Sequence, residues 1–208
     1  MQKIKFAFVL IAGVAIGALL TWILVVTGLD WAVTVWFSKH PVWIYAATPF
    51  VLAGMIVPVV LLIRYTIGTL PEHKKLVWFT FLLAYLLSTL LKVFTNRVDM
   101  EPFEPLAAVD FSNAFRFGFY QGNSWWESLS EGWPSGHTMV TAAMAIAIHP
   151  LIKNPFWRYA NAIYAVLMPF AVVTAFHWMS DVVAGLIPGL IIGYGMRYFY
   201  FRHEPNLM

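Results

Sequence analysis

The chain has 208 residues, of which 61% are hydrophobic and only 11% charged, and its mean hydropathy is +0.73. A soluble domain runs nearer half apolar and a quarter charged, so part of the solvent of this chain is lipid. The net charge of +3, scattered without a basic run or face, excludes a nucleic-acid partner, and the absence of cysteine excludes a disulfide framework or a thiolate-bound metal.

In chain order, six apolar stretches stand near the ~20 residues that cross ~30 Å of hydrocarbon. They are residues 4–26, 43–63, 76–94, 138–152, 156–176 and 181–201. They predict an all-α polytopic membrane protein: a six-transmembrane-helix bundle, one domain over residues 1–208, with one long outer loop. The first stretch exceeds the apolar region of a signal peptide and predicts a retained helix. The fourth is short, as a helix starting below the membrane surface would be. Lys3, Lys5, Arg64, Lys74, Lys75, Lys153, Arg158, Arg197 and Arg202 fall on one side. Lys39, Lys92, Arg97 and Arg116 fall on the other. This bias puts both termini in the cytoplasm. Trp31, Trp36, Trp43, Trp125, Trp126, Trp133 and Trp178 collect on the outer side, as an interfacial belt would. Residues 97–136 form the long outer segment, too aromatic for disorder. Within it, residues 109–120 alternate apolar and polar side chains and are expected to lie flat in the interface.

Ionisable groups bordering spans are costly to keep and mark candidate sites. Lys92, His137, His177 and Asp181 all fall at the outer face. Pro134-Ser135-Gly136-His137 opens the fourth stretch. Ser135 is a good helix cap, the first-turn amides lack intrahelical acceptors, and Gly136 admits a close ligand, which together make an anion site beside a histidine. His177 and Asp181 are four apart and share a helix face. The carboxylate can hold one ring nitrogen and leave the other nucleophilic. Steps of four continue through Gly185, Gly189 and Gly193, a stripe that lets another helix pack closely. Lys92 and Arg97 are cations able to neutralise an anion. The plainer alternatives are a capped helix with an interfacial histidine and a structural His–Asp pair. A metal held by His137, His177 and Asp181 is the less favoured reading, because amides and Lys92 point to an anion. His40, His73, His149 and His203 read as loop or cytoplasmic-face residues.

These residues resemble the type 2 phosphatidic acid phosphatases, integral membrane lipid phosphatases with six helices and three motifs in order: Lys-x6-Arg-Pro, Pro-Ser-Gly-His and Ser-Arg-x5-His-x3-Asp. The resemblance rests on Pro134-Ser135-Gly136-His137 followed about 40 residues later by His177-Trp178-Met179-Ser180-Asp181. It implies that His177 attacks phosphorus, that Asp181 orients it, and that His137 protonates the leaving oxygen. It implies phosphate contacts from Lys92, Ser135 and Gly136, with no metal and no cofactor. Two departures stand out. The first motif's Arg-Pro falls on Asp99 and Met100, and the third motif's Ser-Arg falls on Phe170 and Ala171. Two charge-assisted phosphate contacts at ~1.5–3 kcal/mol each would be worth a factor of roughly 10² or more in rate. Arg97 and Arg116 are the expected replacements. A less charged substrate or a non-catalytic lipid-phosphate-binding relative are the alternatives. The resemblance implies a metal-independent hydrolase acting on a lipid or polyisoprenyl phosphate through a phosphohistidine, or a phosphotransferase using the same site. Membrane lipids and the lipid phosphate are the expected partners. The expected location is a bacterial inner membrane, with the site facing the periplasm.

Overall fold

The computed structural model describes residues 2–68, 71–98, 110–119, 132–174 and 176–203. Its helices are α1 (Gln2–Val26), α2 (Leu29–Ser38), α3 (Pro41–Gly68), α4 (Pro71–Thr95), α5 (Gly136–Ile148), α6 (Pro155–Val173) and α7 (Met179–His203). A single 3₁₀ turn, His149–Leu151, prolongs α5. All but α2 and α5 are long and apolar enough to cross a membrane. Their outer faces carry bare apolar side chains such as Ile11, Ile56 and Val166, a surface that only lipid can cover.

The short fourth stretch becomes the centre of the molecule. At 1.5 Å per residue, the 13 residues of α5 reach ~20 Å, well short of the hydrocarbon thickness. It needs no lipid-facing side, because α7, α4, α6 and α3 surround it. Met139, Val140, Ala143, Met144 and Ile148 of α5 form the main core with Leu62, Val77, Ala84 and Ile192. The glycine stripe of α7 meets α5. A methyl on Gly185, Gly189 or Gly193 would strike the carbonyl oxygens of Ser135, Met139 or Ala143, at 2.6 Å in the case of Gly189. Backbone thus lies on backbone, the close packing that small residues permit between membrane helices. On the other side of α7, Gly17 brings α1 against Ala184. Polar clamps add to the packing. Asn161 of α6 donates to the Ala145 carbonyl at 2.9 Å, and the Tyr164 hydroxyl donates to the Ala53 carbonyl at 3.2 Å.

Two features differ from expectation. Helix α2 was not foreseen; Gly28, at φ 69°, turns the chain after α1, and Asp30 sits in the favourable first turn of the new helix. The tryptophan belt is partial. Trp36 and Trp43 are exposed, whereas Trp133 and Trp178 are buried and donate their indole N–H groups to Thr21 and to the Val98 carbonyl. Trp125 and Trp126 lie outside the described residues. Of the stretch expected to lie flat in the interface, residues 110–119 are described and are turns and irregular chain. They run along the end of α4, with the amides of Arg116 and Gly118 donating to the carbonyls of Thr95 and Phe94. Residues 99–109 and 120–131 of the long outer segment lie outside the described residues.

Candidate active site

The tetrapeptide sits where its sequence placed it. Ser135 is the N-cap of α5, and its hydroxyl accepts from the Thr138 amide at 3.4 Å and the Thr138 hydroxyl at 3.1 Å. As an acceptor in both contacts it keeps its own proton to donate. The Met139 amide already donates to the Ser135 carbonyl, so the amides of Gly136 and His137 are the ones that open the helix toward a ligand. At Gly136 a Cβ would lie 2.9 Å from the Ser88 hydroxyl and 3.7 Å from Cε of Lys92. A methyl there would require the Ser88 hydroxyl to turn aside, and the Lys92 side chain, on the last turn of α4, runs past the mouth of α5.

The second pair comes from the loop that joins α6 to α7. The amides of Phe176 and His177 both donate to the Val172 carbonyl, turning the chain at the end of α6. Asp181 lies in the first turn of α7 and is fully buried. One of its oxygens accepts from the Trp178 amide at 3.1 Å and faces Nδ1 of His177 at 3.7 Å. That separation exceeds a hydrogen bond, and a small ring rotation closes it, as ligand-free catalytic contacts commonly require. With Nδ1 turned to the carboxylate, Nε2 is the nitrogen presented outward. The rings of His177 and His137 are 6.1 Å apart, centre to centre, and tilted by 58°. His137 is half-buried and lies beside Gly54 of α3. The two motifs are also joined through backbone, since the Ser135 amide donates to the Asp181 carbonyl at 2.9 Å.

The arginines behave differently from expectation. Arg97 follows α4 by two residues and is wholly buried. Its guanidinium pairs with Asp181 and, at 2.9 Å, with Asp30 of α2. It also donates to the Ser180 hydroxyl at 2.7 Å and to the Ser112 carbonyl at 3.0 Å. The rings of Phe115 and Trp178 flank it, with centroids 4.8 and 5.6 Å from the guanidinium carbon. Its donors are committed to these partners, so the expectation of Arg97 as a phosphate ligand is replaced by a support behind Asp181. Arg116 has an exposed side chain on a backbone pinned to the end of α4. Ala171, where the resemblance implies an arginine, is buried against Ala47 and Val51, so no cation occupies that place. Asp99 lies outside the described residues.

Several participants escaped the sequence reading: Asp30, Ser180, Thr95 and Asn96. Asp30 carried a signal, being an acid among apolar and aromatic residues at the same face as the site. Asn96 had none beyond its tolerance of the left-handed region, where it stands at φ 40°. Its side-chain amide donates to the carbonyls of Val93 and Gly118, both at 2.8 Å, and so steers the chain that carries Arg97.

The PAP2 superfamily model matches residues 74–205, which span all but the first three residues of α4 and the whole of α5, α6 and α7. The chain belongs to the PAP2 superfamily. Among solved structures, this PAP2 chain is similar to a transmembrane PAP2-type phosphatidylglycerolphosphate phosphatase from Bacillus subtilis. The two are 19% identical, with a TM-score of 0.64 over 92% of this chain and 96% of that one, a likeness of fold. The comparison with curated proteins returned no match. The matched region contains Lys92, the Ser135–His137 segment, His177 and Asp181, whereas Asp30 of α2 lies before it.

Proposed function

We propose that this PAP2 membrane lipid phosphatase works through a phosphohistidine on His177 and needs no metal. The observation that carries the reading is the meeting of His177, backed by Asp181, with His137 at the amide-bearing mouth of α5 beside Lys92. Nε2 of His177 attacks phosphorus, and the bond to the ester oxygen breaks. Protonated His137 gives its proton to the leaving oxygen and is left neutral. It then takes a proton from water as that water attacks the phosphohistidine, which releases phosphate and restores His177. The negative charge on the equatorial oxygens is met by the Lys92 ammonium, the Ser135 hydroxyl and the amides that open α5. An acceptor hydroxyl in place of water would make the same intermediate serve phosphate transfer.

The substrate is a lipid or polyisoprenyl phosphate that arrives laterally. The apolar, bare outer faces of α3 and α6, which flank His137, support this route. Arg116 is the remaining candidate for the cation that the motifs lack. The experiment is phosphate release from a panel of lipid phosphates by the purified protein, with and without a chelator. Wild type should release phosphate unaffected by chelator, and His177→Ala should not. Equal rates in the two proteins would defeat the phosphohistidine, and loss with chelator would restore the metal reading. Arg116→Ala should raise KM several-fold with kcat little changed, as loss of an initial binding charge does. An unchanged KM would remove Arg116 from the site.

A further inference from the structure

The buried cluster behind the histidine has a charge arrangement that the reaction above does not use. Asp30 and Asp181 share one guanidinium, that of Arg97, and all three side chains are fully buried. Every group that meets the two carboxylates is a donor. Asp30 accepts from the Ser180 amide at 2.9 Å, the Ser180 hydroxyl and Arg97, and Asp181 accepts from the Trp178 amide and Arg97. With two carboxylates on one guanidinium, Arg97 cannot balance the full negative charge that the pair can carry. With water excluded, that charge is poorly screened and acts on the nearest polarisable group. That group is His177, whose Nδ1 stands 3.7 Å from the Asp181 oxygen that Arg97 does not hold.

We propose that Asp30 is a positioning residue for catalysis, acting on His177 through Arg97 and Asp181. An arginine paired with Asp181 alone would neutralise it and weaken its hold on the imidazole. Asp30 divides the guanidinium between two carboxylates. It also fixes Ser180, the residue before Asp181, through both backbone and hydroxyl. Asp181 thus keeps enough negative charge to orient His177 and to stabilise the positive charge that develops on its ring as it attacks phosphorus. The acid that does this sits on a short helix outside the three motifs and outside the matched region, joined to the site only by the cluster.

The proposal rests on the phosphohistidine reading, and its test separates the two. Steady-state rates of lipid-phosphate hydrolysis are measured on the purified protein for wild type, Asp30→Asn, Asp30→Glu, Asp181→Asn and the Asp30→Asn/Asp181→Asn double variant. Wild-type activity independent of His177 would defeat the earlier reading before Asp30 enters. With His177-dependent activity in hand, Asp30→Asn should lower kcat roughly tenfold, within the range for coupled members of one charge network, and leave KM within about twofold. Asp30→Glu should recover part of the loss. The decisive arm is the double variant: added to Asp181→Asn, the Asp30 change should cost nothing further, because its effect passes through that carboxylate. A loss that multiplies in the double variant, or a rise in KM that matches the fall in kcat, overturns the proposal. Should Asp30→Asn fail to fold, Ser180→Ala, which removes the hydroxyl shared by Asp30 and Arg97, carries the same test. It should lower kcat alone, and wild-type kcat in that variant also overturns the proposal.

Discussion

At the scale of single residues, Arg97 shows how a correct physical rule leads to a wrong partner. A cation at the outer end of α4, two positions before a vacant arginine site, reads as a phosphate ligand when only sequence distance is known. The chain direction after Asn96 turns it inward, onto Asp30 and Asp181. Its removal is therefore a matter of stability before it is one of catalysis. Arg97→Ala strands two buried carboxylates, and loss of one partner from a buried ionic cluster costs about 3–5 kcal/mol. A marked fall in the thermal unfolding midpoint in detergent is expected, and an unchanged midpoint would mean that the cluster contributes little. His137, His177, Asp181, Lys92 and the Ser135–Gly136 cap were legible because each is an ionisable or backbone-exposing residue at a predicted span end. Asp30 was not assigned a role, because its partners Arg97 and Ser180 lie 67 and 150 residues further along the chain. Pairing at that range leaves no local pattern.

At the scale of elements, periodicity and length carried most of the fold. The five long helices fall close to the predicted stretches, because ~20 apolar residues leave the backbone few other ways to satisfy its polar groups. Helix α2 escaped because ten residues with mixed faces lie below what span-length reasoning detects. The stripe Gly185, Gly189, Gly193 was visible as a close-packing surface, and the structure adds that α5 is what it packs against. Gly189→Ala places a methyl 2.6 Å from the Met139 carbonyl oxygen, in a contact between two backbones that no side chain can relieve. Overpacking of this kind costs about 1–3 kcal/mol. Thermal unfolding of the variant should fall accordingly, and a wild-type midpoint would show that the two helices separate more easily than their packing implies.

At the scale of the whole molecule, orientation is the property that the sequence argues from charge alone. The chain contains no cysteine, so single introduced thiols report without background. Lys39→Cys, just after α2, should react with a membrane-impermeant maleimide added to intact cells or spheroplasts. Lys153→Cys, between the 3₁₀ turn and α6, should react only after lysis. The reverse pattern would turn the site to the cytoplasm. The packing of α5 on α7 has a mechanical side as well. These helices carry the Ser135 cap and Asp181, which the proposed reaction uses to bind phosphate and steady His177, and their backbones touch along three successive turns. So close a packing ties the Ser135 cap and Asp181 to one another, so that a shift of one helix carries the other. On the far side of His137, α3 and α6 carry Pro49, Pro58 and Pro169 within their lengths, each of which removes a backbone hydrogen bond from its helix. The site is thus built like a vice with one firmly braced plate, α5 with α7, facing a second whose helices are interrupted by proline.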